Sequence, residues 1–264
     1  MKTKSDVNAF LTPAADQRIV IVSDAGGVDF AQTEGLCAVG ADVAVMDLPQ
    51  SLARRTFPTH TTLIEMDARY EASVTAAFAA LPAQFTALNG LINVFGYTGD
   101  LSAIKHTSTA TWLDMHDGNL NDVFSTDRAA ISYLERSLAV SVINFSTGIV
   151  QIDAASYAPY ATAKAGINAL TRVLSAEAAP TICVNAIAPG GIDTAFLRGG
   201  FGHSGLEDGI PKRISIEDYA RRVPLGRTGN VDDVMWPTLF LLVPALRSMT
   251  GQVLHMNGVA LMRD

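Results

Sequence analysis

From Arg18 onward the chain repeats one theme: a short apolar or β-branched run, a loop, then a longer stretch of helical periodicity. Strands are expected at Ile19–Ser23, Asp42–Met46, Thr62–Met66, Leu88–Val94, Ser141–Phe145, Ile182–Ile187 and Gln252–His255. Helices are expected near Ala31–Val39, Glu71–Ala80, Thr109–Ser137, Ala158–Ala178 and Val231–Leu242. Strands that are apolar at successive positions are buried on both faces, the mark of a parallel sheet covered by helices on each side. The pattern therefore predicts an α/β fold, one doubly wound parallel sheet. In such sheets ligands bind outside the carboxyl ends of the strands, where strand order reverses.

The 264 residues, 48% of them hydrophobic, suffice for one large core, so residues 18–264 are expected to form a single domain behind a floppy leader at 1–17. A formal charge of −7 leaves no broad basic field, which argues against nucleic acid as a partner. No apolar run is long enough to span a bilayer, and the polar leader lacks a signal core, so a cytoplasmic protein without membrane attachment is expected. Cys37 and Cys183 lie in helix and strand interiors without neighbouring ligands and read as buried free thiols; no metal site is expected.

Tyr160-Ala161-Thr162-Ala163-Lys164 places a phenol and an ammonium one helical turn apart on one face. An ammonium beside a phenol favours the phenolate and draws its pKa toward working pH, as acid–base chemistry on an alcohol or ketone requires. Taken alone the pair also suits a solvated helix face. The stretch Gly199 to Gly209, glycine-rich and without periodicity, suits a substrate flap around 195–222. Arg198, His203, Lys212, Arg213, Arg221 and Arg222 gather around it in an otherwise acidic chain, a hint of a carboxylate or a CoA-type phosphate on the substrate; a solvated helix face is the alternative.

Several motifs in fixed order carry a resemblance: Leu91-Ile92-Asn93-Val94-Phe95-Gly96, Gly118-Asn119-Leu120, Asn144-Phe145-Ser146-Thr147, Tyr160 to Lys164, and Val184 through Thr194, followed by Pro224-Leu225-Gly226-Arg227 and Thr250-Gly251-Gln252-Val253. From about Arg18 to its end the chain resembles the short-chain dehydrogenase/reductase family. That resemblance implies a Rossmann-type fold and hydride transfer between a nicotinamide cofactor and a secondary alcohol or ketone. It implies Tyr160 as acid/base, Lys164 lowering the Tyr160 pKa and holding the nicotinamide ribose, Asn119 holding a water that links Lys164 to solvent, and Thr147 orienting the substrate oxygen. Thr147 stands where the family has serine; its hydroxyl has the same hydrogen-bonding capacity and its methyl narrows the site. For the cofactor the resemblance implies Ser23, Gly26, Gly27, Asp47, Asp67, Asn93, Gly96, Lys164, Pro189, Gly190, Ile192 and Thr194. Asp47, ending the second strand, would bond the adenosine ribose and repel a 2′-phosphate, which implies NAD rather than NADP. Family members associate through long helices such as Thr109–Ser137 and Ala158–Ala178, which implies a homo-tetramer or a hetero-oligomer with a homologous chain.

The glycine loop departs from the family. Ser23-Asp24-Ala25-Gly26-Gly27-Val28-Asp29-Phe30 is one residue short and keeps two glycines, with Asp24 and Asp29 where a diphosphate would sit. Val94 and Phe95 replace an asparagine and an alanine; Phe95 would project near the adenosine ribose or pack against the core. Two alternatives follow: a degenerate subunit with impaired NAD binding that partners an active homologue, and a non-redox lyase on the same scaffold, against which Lys164 counts.

Overall fold

A computed structural model describes residues 13, 15–23, 27–99, 101–152, 154–197 and 215–258. Seven parallel strands form one sheet: β1 (Arg18–Val22), β2 (Asp42–Asp47), β3 (Thr62–Glu65), β4 (Gly90–Asn93), β5 (Val140–Phe145), β6 (Ile182–Pro189) and β7 (Val253–Met256). Their order is β3-β2-β1-β4-β5-β6-β7, so strand order reverses between β1 and β4. The ends of those two strands mark the crevice expected of a doubly wound sheet.

The period-two alternation of the strands divides the core. Val20, Val22, Leu91, Val142 and Val184 face one side; Ile19, Ile21, Ile92, Ile143 and Ile187 face the other. Among the described helices are α1 (Gly27–Ala38), α2 (Pro49–Leu52), α3 (Glu71–Ala79), α4 (Thr109–His116), α5 (Asp122–Leu134), α6 (Ala158–Glu177), α7 (Ile216–Arg222) and α8 (Asp232–Leu241). Val74 of α3, Leu134 of α5 and Ile167 of α6 pack in the first core; Leu36 of α1 and Leu239 of α8 pack in the second. All seven expected strands are present, with ends shifted by one or two residues. No helix among the described residues is long and apolar enough to cross a membrane.

Two expectations change. The stretch Thr109–Ser137 is not one regular helix: a π-helical turn, Asp117–Asn121, separates α4 from α5. Asn119 explains it, because its buried Nδ2 donates to the carbonyls of Met115 and Tyr97, both at 3.0 Å, in competition with the helical ladder. Gln17, counted with the leader, is buried, and its Nε2 donates to the Leu242 carbonyl at 3.2 Å. The flap centre at 198–214, with Arg198, His203, Lys212 and Arg213, lies outside the described residues, as do Asp24 and Gly26.

Candidate active site

The end of β5, the first turns of α6 and the loop after β4 converge on one cavity of about 210 Å³. Pro159, tolerated in a first helical turn where an N–H has no partner, starts α6 and presents Tyr160 and Lys164 along the same face. Tyr160 is 5% exposed and hydrogen-bonded to Thr147. Thr147 caps the short 3₁₀ turn that follows β5, its Oγ1 accepting from the Ile149 N–H at 3.4 Å. Next to it, the Ser146 hydroxyl donates to the Lys164 carbonyl at 3.1 Å, tying strand end to helix.

Lys164 is 1% exposed. Its Nζ donates to the carbonyls of Phe95 at 2.5 Å and Phe145 at 2.9 Å, and lies 5.9 Å from the centre of the Tyr160 ring. Buried ammonium groups require such partners, and strand-end carbonyls supply them. Gly96 permits the arrangement: a Cβ there would lie 3.0 Å from Lys164 Nζ and 3.2 Å from Asn119 Oδ1. Asn119 and Lys164 thus meet across a glycine, with Asn119 Oδ1 accepting from the Tyr97 N–H at 3.3 Å. The Tyr160 phenol is raised from its ordinary value, by burial first, against the hydrogen bond from Thr147 and with a smaller contribution from Tyr157. Burial sets the net direction, so Lys164, whose ammonium also donates to two main-chain carbonyls, does not bring the phenol below its ordinary value.

Gly27, Gly96, Pro189, Gly190, Ile192 and Thr194 line the same cavity as Tyr160. Asn93 does not. It is fully buried, its Nδ2 donating to Asp127 and Asn144 at 2.8 Å each while its Oδ1 accepts from Thr126 at 2.9 Å. That network joins β4, β5 and α5, so Asn93 braces the sheet beneath the site. Ser23 and Asp67 line a separate small cavity with Phe95 and Tyr97, with room for about two waters. Asp67 is held by a bidentate pair with Arg69, at 2.9 and 2.6 Å.

Asp29 and Asp47 turn inward. Each is 2% exposed, and each carboxyl lies on the Ser23 hydroxyl, at 2.8 and 2.7 Å. Asp47 also accepts from the Leu48 N–H at 2.6 Å. Asp29 sits in the first turn of α1 and meets the end of β2 through Ser23. Phe95 is 6% exposed and packs in the core that Val20 and Leu91 share, while also bordering both cavities.

Sequence reasoning missed Leu101, Ile149, Tyr157, Phe196 and Tyr219, which complete the cavity wall. The Phe196 ring lies 6.2 Å from that of Tyr160. Tyr157, three residues before Tyr160, could have been found by helical spacing; the others come from separate loops and carry no local signal. Arg221 and Arg222 lie on exposed α7, Arg221 paired with Asp218. Cys37 and Cys183 are free and only partly buried. The described residues contain no cluster of His, Cys, Asp or Glu able to hold a metal ion.

The family model described as enoyl-(acyl carrier protein) reductase matches residues 23–258. The chain belongs to the short-chain dehydrogenase/reductase family. It is 26% identical over 249 residues to the 3-oxoacyl-[acyl-carrier-protein] reductase FabG of Chlamydia pneumoniae, covering 92% of this chain and 96% of that protein. It is likewise 26% identical to 2-(S)-hydroxypropyl-CoM dehydrogenase 3 of Xanthobacter autotrophicus, covering 91% and 94%. The fold is similar to that of Thermoplasma acidophilum aldohexose dehydrogenase, with a TM-score of 0.81 at 22% identity over 95% of this chain and 96% of that one. It is also similar to an actinorhodin polyketide ketoreductase solved with NADPH, with a TM-score of 0.79 at 24% identity over 93% and 98%. Short-chain dehydrogenase/reductases carry a nicotinamide cofactor, and the cavity of this one suits the nicotinamide end. Close backbone approach there is built in: a Cβ on Gly190 would meet the Asn257 main chain at 2.9 Å, and one on Gly27 would touch Thr194 at 3.4 Å.

Proposed function

We propose that this nicotinamide-dependent oxidoreductase interconverts an apolar ketone and its secondary alcohol in the cavity above Tyr160, with NAD as its cofactor. The hydrogen bond between Thr147 and Tyr160 carries the reading, because it aims two hydroxyl groups at one point in a cavity whose walls are mostly apolar. Among the described lining residues Lys164 is the sole charged one, and its ammonium is held by carbonyls. That lining suits an uncharged carbonyl group at the reacting end of the substrate.

Gly27, Gly96 and Pro189–Thr194 would hold a nicotinamide, which would supply or accept the hydride at the carbonyl carbon. Thr147 donates a hydrogen bond to the carbonyl oxygen and orients it toward Tyr160. As the carbon gains the hydride and the C=O π bond breaks, the electron pair moves onto oxygen and takes the Tyr160 proton, giving the alcohol and a phenolate. Burial keeps the phenol protonated beforehand, the form that reduction needs. Lys164, fixed beneath the ring, stabilises the phenolate formed, and Asn119 stands beside it to relay a proton from solvent. In oxidation the same groups act in reverse.

Asp47 supports NAD over NADP: its carboxyl ends β2, where a 2′-phosphate would approach. The exposed Leu113, Phe124 and Val173 on α4, α5 and α6 support self-association through these helices. Titration with NADH, followed by nicotinamide fluorescence, tests the reading together with turnover of apolar methyl ketones. Saturable binding with turnover is expected; an absence of both removes it.

A further inference from the structure

Tyr219 stands where two cavities meet. The larger contains Tyr160 and Thr147; the second, of about 190 Å³, lies beyond it and is lined by Val223, Leu225 and Met256 among others. Four residues border both: Gly190, Gly191, Ile192 and Tyr219. The glycines have no side chain to withdraw, and Ile192 is 8% exposed within the core. The Tyr219 ring is therefore the one part of this shared wall that a substitution can remove without rebuilding the loop.

The ring is held from the loop side. The Gly191 N–H donates to Tyr219 Oη at 2.5 Å. A Cβ on Gly191 would come within 2.5 Å of the ring, and one on Gly190 within 3.1 Å of its hydroxyl, so glycine at both positions is what lets the ring lie there. Its own helix α7 is short, capped by Ser215, and buries none of its residues. Val223, Leu225 and Met256 give the second cavity an apolar wall, and the two charged residues that border it, Arg227 and Asp233, answer each other in a bidentate pair at 2.5 and 2.8 Å.

We propose that Tyr219 sets the length of the substrate, confining a ketone to the first cavity and closing off the second, which would accept an unbranched apolar chain. The proposal rests on ketone reduction at Tyr160. Removing the ring would roughly double the space open to such a chain.

The test uses unbranched methyl ketones of increasing length on wild-type, Tyr219→Phe, Tyr219→Leu and Tyr219→Ala protein. Turnover is measured together with displacement of an apolar fluorescent dye, a binding readout independent of reduction. Wild type and Tyr219→Phe, which keeps the ring, should stop gaining affinity beyond the same chain length. Tyr219→Leu and Tyr219→Ala should continue to gain about fourfold for each added methylene, the worth of burying one CH₂ group. The leucine variant retains apolar contact should alanine unfold α7. An unchanged length limit in folded leucine or alanine protein, with short ketones bound as by wild type, overturns the proposal. Ketones that bind with a length limit but are never reduced would instead overturn the reductase reading, while the displacement series still decides the role of Tyr219.

Discussion

The carboxyl groups of Asp29 and Asp47 share one hydroxyl, that of Ser23, at 2.8 and 2.7 Å. A serine hydroxyl has a single hydrogen, so it can donate to one carboxyl and must accept from the other. One proton is therefore stored between two acids. Asp29 is the acid whose hold on a proton is raised: burial, then the charge of Asp47, push its pKa up to about 7, against the Ser23 and Phe30 hydrogen bonds and Arg55.

That proton predicts how stability depends on pH. Asp127, buried between Asn93 and Asn144, is likewise raised to about 7, chiefly by burial. A carboxyl whose folded pKa lies above its unfolded value contributes stability that is fully present below about pH 4 and lost as pH rises through about 7. Each group should cost at most about 1.4 kcal/mol per pH unit in that window. Asp29→Asn, which keeps a hydrogen-bonding amide without the charge, should flatten the decline. Thermal melts of both proteins at a series of pH values check this, and equal slopes would place the proton elsewhere.

Tyr160→Phe retains the ring packed against Phe196 and removes only the hydroxyl. Turnover should fall by roughly 10²–10⁴, the usual worth of a positioned acid or base, with KM changed far less. Because the phenol is raised rather than lowered, ketone reduction by the wild type should stay flat through neutral pH. Steady-state kinetics across pH measure both expectations.

Asp47→Asn tests cofactor choice more cleanly than a shorter residue would, since the amide oxygen can still accept from Leu48 and Ser23. Loss of the negative charge should narrow a preference for NADH over NADPH by about tenfold, a change near 1.4 kcal/mol, mainly through affinity. Fluorescence titration with both cofactors gives the ratio; tighter wild-type binding of NADPH would exclude NAD as the favoured partner.

Phe95→Ala should move stability and affinity in opposite directions. Removing a buried phenylalanine costs about 3–5 kcal/mol, whereas the space it vacates adjoins the cavity bordered by Ser23 and Asp67. A lower melting temperature with tighter NADH binding is expected. Weaker binding in a folded variant would show that the ring supports the cofactor rather than crowding it.

The alternation of Ile19 to Val22, and of the strands that follow, determined the sheet by itself, because period-two burial on both faces leaves few other arrangements. The pairing of Tyr160 with Lys164 was equally legible, since helical geometry places residues four apart on one face whatever surrounds them. Directions of side chains at strand and helix ends were not. Asn93 turns to Asp127 and Asn144 instead of the cavity, and Asp29 shares the Ser23 hydroxyl with Asp47. Lys164 finds its partners 69 and 19 residues away, at Phe95 and Phe145. A buried polar group takes whichever partners the neighbouring strands bring within hydrogen-bonding distance. Those neighbours are set by strand order and register, so the orientation of each group, and with it the Tyr219 wall, was decided only in the assembled fold.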